Sequence, residues 1–408
     1  MPKASAVSLS KSKLTAYHQC RKRLWLEIHR PDLREDSPAS QKAFAIGHTI
    51  GDLAQREYPD GILIGPASPD APINWPQVFA ETKQALSLNP RRPIFEATCR
   101  HDGVLVRADL LIPAAQGWHM AEVKSSTEVK DYHLNDVAVQ TWVMRQASVD
   151  VRTVELRHVD NQFVYPGGND YAGLFKAGDV QEQVEALQPE VPRWIADARA
   201  VVASSEPKVS MGDHCEKPFA CSFAGYCAQL AGTPPDYPVT LLPGNGGKPL
   251  ARRLLDEGFE DLRDVPGERM PPGRLALIHR VTVSGEPHLD ADKAREMLAA
   301  LPYPRFFFDF ETISFSVPIW AGTSPYEKLP FQWSCHIERE PGQFEHREFL
   351  DLSGENPIRA CAESLLQALE TQGAIVAYHD SFERGVIKAL AERYPDLHDA
   401  LMAVHARF

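Results

Sequence analysis

Two carboxylates and an ammonium, Asp109, Glu122 and Lys124, have the types and spacing to hold a divalent cation and a water molecule. Burying such groups together is costly unless they bind something, because ionised side chains taken out of water need partners. A divalent metal ion is the natural occupant: hard oxygen ligands hold it, and a neighbouring lysine can position a water for attack. The elements that must bring these residues together are legible around them. Val104 to Ile112 and His119 to Ser126 are runs of strand length, and Pro113 to Gly117 supplies the breakers of a hairpin. If Pro113 pairs with Trp118 across a four-residue loop, Asp109 falls opposite Glu122. Lys124, two residues beyond Glu122, shares its face of the strand. Taken alone, Glu-x-Lys also fits an exposed ion pair worth little.

Asp109, followed at a loop's distance by Glu122-Val123-Lys124, resembles the core of the PD-(D/E)XK nucleases. Gln140, in Asp136-Val137-Ala138-Val139-Gln140, is similar to the glutamine motif of their RecB-like branch. The resemblance implies an α/β fold with a restriction-endonuclease-like core, a mixed sheet flanked by helices. It implies that Asp109 and Glu122 bind Mg²⁺ or Mn²⁺, that Val123 lends its backbone carbonyl, and that Lys124 serves the attacking water. Gln140 then orients substrate or the lysine. Glu96, on the preceding predicted strand, stands where such nucleases often carry another acidic residue. The same branch usually has a metal-binding histidine four residues after a glycine. In Gly47-His48-Thr49-Ile50-Gly51-Asp52 that position is Gly51, and His48 follows the glycine directly. His48 is therefore a candidate ligand or a structural histidine.

Three of the seven cysteines, Cys215, Cys221 and Cys227, recur with five residues between neighbours. Disulfides are not expected in a cytosolic chain, so metal or cluster binding is the better account. Three thiolates leave tetrahedral coordination incomplete. Cys20 is the obvious fourth, three residues after Tyr17 and four before Leu24 in a helix expected from Ser10 to His29. One cysteine before the core and three after it resemble the staple of AddB-type and CRISPR-associated RecB-like exonucleases. That resemblance implies a [4Fe–4S] cluster tying the two ends of the domain together; thiolates alone suit zinc equally. Cys99, Cys335 and Cys361 sit in apolar patterns and are expected in the core.

Further along, Val151–Val159 and residues 162–165 are expected as strands, and residues 180–202 as a helix. Ala231 to Gly247 is rich in Pro and Gly, a linker signal. Pro249 to Pro266 resembles one half of a helix-hairpin-helix module, or is a helical spacer. In Phe308-Asp309-Phe310-Glu311-Thr312 the two acids share one face of a buried strand. With the elements that follow, this string is similar to the DEDD exonucleases of the ribonuclease H-like fold. The likeness implies a second metal site at Asp309, Glu311 and Glu383, the last in the acidic position of Tyr378-His379-Asp380-Ser381-Phe382-Glu383. The final aspartate of that family would fall beyond Phe408, so a truncated or degenerate domain is expected.

The chain of 408 residues is too long for one ordinary core. We expect a nuclease-type domain over residues 1–230, a linker over 231–300 and a ribonuclease H-like domain over 301–408. No apolar run reaches transmembrane length, and Met1-Pro2-Lys3-Ala4-Ser5 lacks a signal-peptide core, so the expected location is cytoplasmic. A net charge of −12 argues against coating duplex DNA by bulk electrostatics. Basic clusters such as Lys11 with Lys13 are expected to be solvated faces. Together these features lead us to expect a metal-dependent exonuclease acting on DNA from single-stranded ends. The alternatives are a non-catalytic nucleic-acid-binding scaffold, or activity in the C-terminal region.

Overall fold

The structure is a computed structural model and describes residues 8–66 and 71–408; the sequence at Met1–Ser5 lies outside them. Its architecture is mixed α/β, with mixed sheets flanked by helices, as the sequence leads one to expect. The chain divides into two compact units: Met1–Cys227 with Phe310–Trp333 and Phe349–Ala362, and Ala228–Asp309 with Ser334–Glu348 and Glu363–Phe408.

The first unit opens with β1 (Leu9–Ser10), α1 (Lys11–Gln19) and α2 (Arg21–His29), followed by α3 (Pro38–Arg56), β2 (Ile62–Leu63) and α4 (Trp75–Leu86). The sheet then takes β3 (Ile94–His101), β4 (Val104–Pro113) and β5 (Trp118–Lys124). After α5 (Asp131–Gln146) come β6 (Val151–Val159), β7 (Phe175–Asp179), α6 (Gln181–Leu187), α7 (Val191–Ala203) and, straddling the end of the unit's first segment, α8 (Ala224–Ala231). Strand order is β2-β3-β4-β5-β6-β7, with β1 pairing parallel to the start of β4. The hairpin β4–β5 closes as its loop length requires, Pro113 opposite Trp118 and Leu110 opposite Ala121. The crossover from β5 to the parallel β6 runs through α5, which buries Val137, Ala138, Val143 and Met144 against the sheet.

In the second unit, α9 (Gly244–Asp256), α10 (Arg274–Ser284) and α11 (Ala291–Ala299) precede the β8 strand (Arg305–Ile313). Then follow β9 (Leu329–Glu340), β10 (Gln343–Leu350), α12 (Ile358–Leu369), β11 (Ala374–Val376), α13 (Asp380–Arg393) and α14 (His398–His405). The residues of β8 from Phe310 on count with the first unit, as do the first residues of β9 and α12 and the last of β10. The second sheet has the order β10-β9-β8-β11, with β11 parallel to β8.

Four local expectations are corrected. The helix expected from Ser10 to His29 is two helices, because Cys20 is extended (φ −162°, ψ 125°). Residues 162–165 form no strand; Tyr165 instead stacks on Tyr171, and its N–H donates to the Thr323 carbonyl. The helix expected over 180–202 is interrupted by a 3₁₀ turn at Gln188–Glu190, where Pro189 cannot donate to the preceding turn. The stretch expected as linker to Gly247 already becomes helical at Gly244, and the second short helix of the helix-hairpin-helix-like segment is one 3₁₀ turn, Leu262–Asp264. Cys99, Cys335 and Cys361 are buried, as expected.

Candidate functional site

Three neighbouring strands carry an acid at the same level. Glu96 lies between the register pairs Phe95↔Leu110 and Ala97↔Ala108, so it stands opposite Asp109. One step beyond Leu110↔Ala121, Asp109 in turn faces Glu122. Like charges directly opposite on a sheet repel, so the row needs compensation. Lys124 Nζ donates to Glu122 Oε1 at 2.8 Å and lies 3.2 Å from Asp136 Oδ2 on α5. Gln140, fully buried one turn further along α5, donates through Nε2 to Glu122 Oε2. The Val123 N–H donates to Asp109 Oδ2 at 2.7 Å. Glu96 pairs with Arg107 at 3.1 Å and has φ 57°, a left-handed conformation that is strained for a side chain of this type within a strand.

Lys11 joins this group, and the expectation of a solvated face for it is corrected. Its Nζ donates to Glu122 Oε1 at 2.6 Å. The cause is long-range: β1 pairs with β4 (Leu9↔Val104), and Ser10 caps α1 by accepting from the Lys13 N–H, which sets the first helical residue over the row. The cavity above the row is lined by Lys11, Glu96, Asp109, Glu122 and Lys124, and by His48 and Asp52 of α3. His48 is exposed there and one turn before Asp52, a residue no sequence motif singled out.

The electrostatics show a surplus of negative charge on one acid. Burial and the Glu122 charge push Asp109 up to about 8. Burial also opposes ionisation of Glu122, but Lys11 and Lys124 outweigh it and hold its carboxyl well below the usual range. Burial raises Glu96, with Arg107 and Lys11 pulling against it. Burial would lower Lys124, yet Glu122, Asp136 and Asp109 raise it, so it stays an ammonium. His133 on α5 is lowered to about 4 by burial and by Lys124.

This donor set fits a hard divalent cation: carboxylates from three strands, one of them pushed toward protonation by burial and by the Glu122 charge, and a buried Gln140 Oε1 without a hydrogen-bond partner among the described residues. As the side chains stand, no three His, Cys, Asp or Glu among the described residues are grouped to hold a metal ion. Both ammonium groups sit on Glu122 Oε1, so an ion drawing on that oxygen competes with them, whereas Oε2 accepts from Gln140.

The four cysteines Cys20, Cys215, Cys221 and Cys227 line one small cavity with Arg23 and Phe223. Cys20 joins it because its extended backbone separates α1 from α2. Gln19, the residue before it, donates through Nε2 to the carbonyls of His214 and Phe219, both at 2.7 Å, and so ties α1 to the cysteine-bearing loop. Burial pushes the Cys221 thiol up; the Phe223 N–H and Arg23 pull against it, and Cys20 and Cys215 add to the rise. Burial likewise raises Cys227, against Lys22 and with the other three thiols. Four cysteine side chains lining one space fit a thiophilic metal or an iron–sulfur cluster.

In the second constellation, Asp309 and Glu311 are exposed on alternate positions of β8. Glu383, on α13, is buried; burial and the Asp309 charge raise it, and its Oε2 has no hydrogen-bond partner among the described residues.

Comparison with known proteins assigns part of the chain. Residues 306–408 match a family described as a domain of unknown function, DUF2779. No curated protein matches. A solved structure described as "Crystal structure of SSO0001" aligns at 13% identity over 54% of this chain and 85% of its own, with a TM-score of 0.27, too slight a likeness to carry a fold or a function. Among the described residues no helix is long and apolar enough to cross a membrane.

Proposed function

We propose that this protein is a metal-dependent nuclease of the RecB-like PD-(D/E)XK type, an exonuclease that hydrolyses DNA phosphodiesters from single-stranded ends. The observation that carries this reading is the row Glu96–Asp109–Glu122, with Lys124 bonded to Glu122 on the same face. Asp109, Glu122 and the Val123 carbonyl would hold Mg²⁺ or Mn²⁺, with Glu96 and His48 at the margin of the same cavity. When bound, the cation supplies Lewis acidity at the phosphate and acidifies a water. Gln140 fixes the Glu122 carboxylate through its Oε2, and Lys124 holds Oε1 and Asp136 Oδ2 with two of its N–H groups, leaving the third to orient a water toward phosphorus. That water's oxygen forms the new bond to phosphorus, the bond to the leaving sugar oxygen breaks, and the water's proton ends on solvent or on that oxygen. Lys11 adds positive charge where the phosphate approaches.

The four-cysteine site belongs to the proposal as a structural [4Fe–4S] staple, with Zn²⁺ as the alternative, and a reducing, cytoplasmic location suits its unpaired thiols. A second reading, hydrolysis at Asp309, Glu311 and Glu383, draws on the unpartnered Glu383 carboxyl oxygen. A non-catalytic nucleic-acid-binding scaffold is the remaining alternative. A Mn²⁺ titration of cleavage with end-labelled single strands separates the three. The first reading expects Asp109→Ala and Lys124→Ala to reduce cleavage by about 100-fold or more while melting stays cooperative. Full activity in both variants moves the chemistry elsewhere, and binding without product in any metal leaves the scaffold.

A further inference from the structure

We infer that the groove beside the carboxylate cavity binds single-stranded nucleic acid by stacking its bases on a set of exposed aromatic rings. This rests on the proposed nuclease reading, because the groove shares Phe44 and Lys124 with that cavity and so would feed a strand into it.

Four rings line the groove: Phe44 from α3, Tyr132 from α5, Phe219 from the cysteine-bearing loop and Tyr326 from the segment that completes the first unit. Phe44 is 56% exposed, Phe219 37% and Tyr326 39%. Large rings left in water at one place, rather than scattered, mark a binding surface. The rings are also held. Tyr132 meets Phe219 edge to face at 5.7 Å, and the Arg23 guanidinium lies 5.3 Å over the Phe219 ring. Tyr326 has φ 61°, a left-handed conformation uncommon for tyrosine, and is kept there by its N–H donating to the Phe315 carbonyl (2.7 Å) and its hydroxyl donating to the Ser125 carbonyl. Nothing in the packing of a hydrophobic core calls for an exposed tyrosine in that conformation.

Charge selects the occupant. In a chain of net charge −12, none of the described residues lining the groove is acidic, whereas Lys130 is basic and Lys124, paired with Glu122 and Asp136, stands at the end toward the carboxylate cavity. Hydroxyl and amide groups from Ser125 and Asn161 add donors for phosphate or sugar. Aromatic rings interleaved with a few cations suit unpaired bases, whose faces are available for stacking, and do not suit a duplex, whose bases are already stacked. With Lys130 rather than a basic stripe, the binding depends only weakly on salt, with a slope of about −0.7 per phosphate contacted.

The test is fluorescence anisotropy of labelled (dT)12, (rU)12 and a hairpin duplex with the full chain in EDTA, so that cleavage plays no part. The inference expects both single strands, or one of them, to bind more tightly than the duplex. Phe44→Ala and Tyr326→Ala should each weaken the single strand by about 5- to 100-fold, and Phe44→Trp should retain binding. A 2-aminopurine base in the strand should lose fluorescence on binding the wild type and keep more of it with Phe44→Ala. Unchanged binding in both alanine variants, or a duplex bound as tightly as the single strands, overturns the inference. Binding in EDTA is read apart from cleavage, which is assayed separately with Mn²⁺. Ring-dependent binding without Mn²⁺ cleavage would therefore sink the nuclease reading and keep the groove; cleavage with ring-independent binding would do the reverse.

Discussion

At the residue scale the row of acids behaves as a site whose charge is unbalanced. Asp109, pushed up to about 8, keeps its proton in the folded chain while the same carboxyl ionises near its ordinary 3.8 once unfolded. The folded state then binds more protons, so its contribution to stability is complete below about pH 4 and is lost as pH rises through about 8. Glu122, depressed, works the other way and acts only at acid pH; His133, lowered to about 4, adds stability as pH rises toward 6.5 and no more above it. A metal-free thermal melt should therefore lose stability between about pH 7 and 8, and Asp109→Asn should flatten that slope while raising the melting temperature at pH 8. A slope that survives the substitution assigns it to another group. Lys11 gives a second expectation: its ammonium occupies a Glu122 oxygen, so Lys11→Gln should tighten Mn²⁺ binding several-fold in a competition assay. Weaker binding would show that Lys11 organises the carboxylates rather than competing for them.

The hairpin was readable at the scale of elements because two constraints coincide. Breakers at Pro113–Gly117 set the loop, the loop sets Pro113 against Trp118, and register then brings Asp109 to Glu122. Gln140 was readable from its motif, and its burial against Glu122 follows from the apolar face of α5. Lys11 was not, since its place depends on β1 pairing with a strand nearly a hundred residues away, which no local pattern encodes. Nor was the break at Cys20, because Leu14, Tyr17, Leu24 and Ile28 keep an apolar pattern on both sides of it. Residues 162–165 have strand composition, yet Tyr165 finds its partners in Tyr171 and Thr323, a tertiary outcome that overrides propensity. The break at Cys20 carries its own expectation. Cys20→Ser should lower metal or iron content and the melting temperature together, since ligand binding and folding are coupled. Normal metal content in that variant would remove Cys20 from the ligand set; a brown protein absorbing near roughly 400 nm would choose iron over zinc.

For the whole molecule, the division into units has a consequence for any shortened chain. Phe310–Trp333 lies within the region matched to DUF2779, yet it belongs to the first compact unit. There Gly322 donates to the Tyr165 carbonyl at 2.8 Å, and the Tyr171 hydroxyl donates to Pro318 at 3.0 Å. A chain ending at Thr233 should consequently melt below the intact protein, each kcal/mol lost lowering the midpoint by about 2–4 °C. An unchanged midpoint would show that the later segment adds nothing to the first unit. The second constellation has a similar reading at this scale: an orphaned, buried Glu383 oxygen is a cost the fold bears, so Glu383→Gln should leave stability unchanged or raise it unless an ion normally rests there.

The proposed activity requires that the acids of three adjoining strands take up a divalent cation. Calorimetric titration of Mn²⁺ into the intact protein at neutral pH measures this directly. Saturable binding that disappears in Asp109→Asn, with the fold retained, is the predicted result. No binding by the wild type, or the same isotherm in the variant, would contradict it.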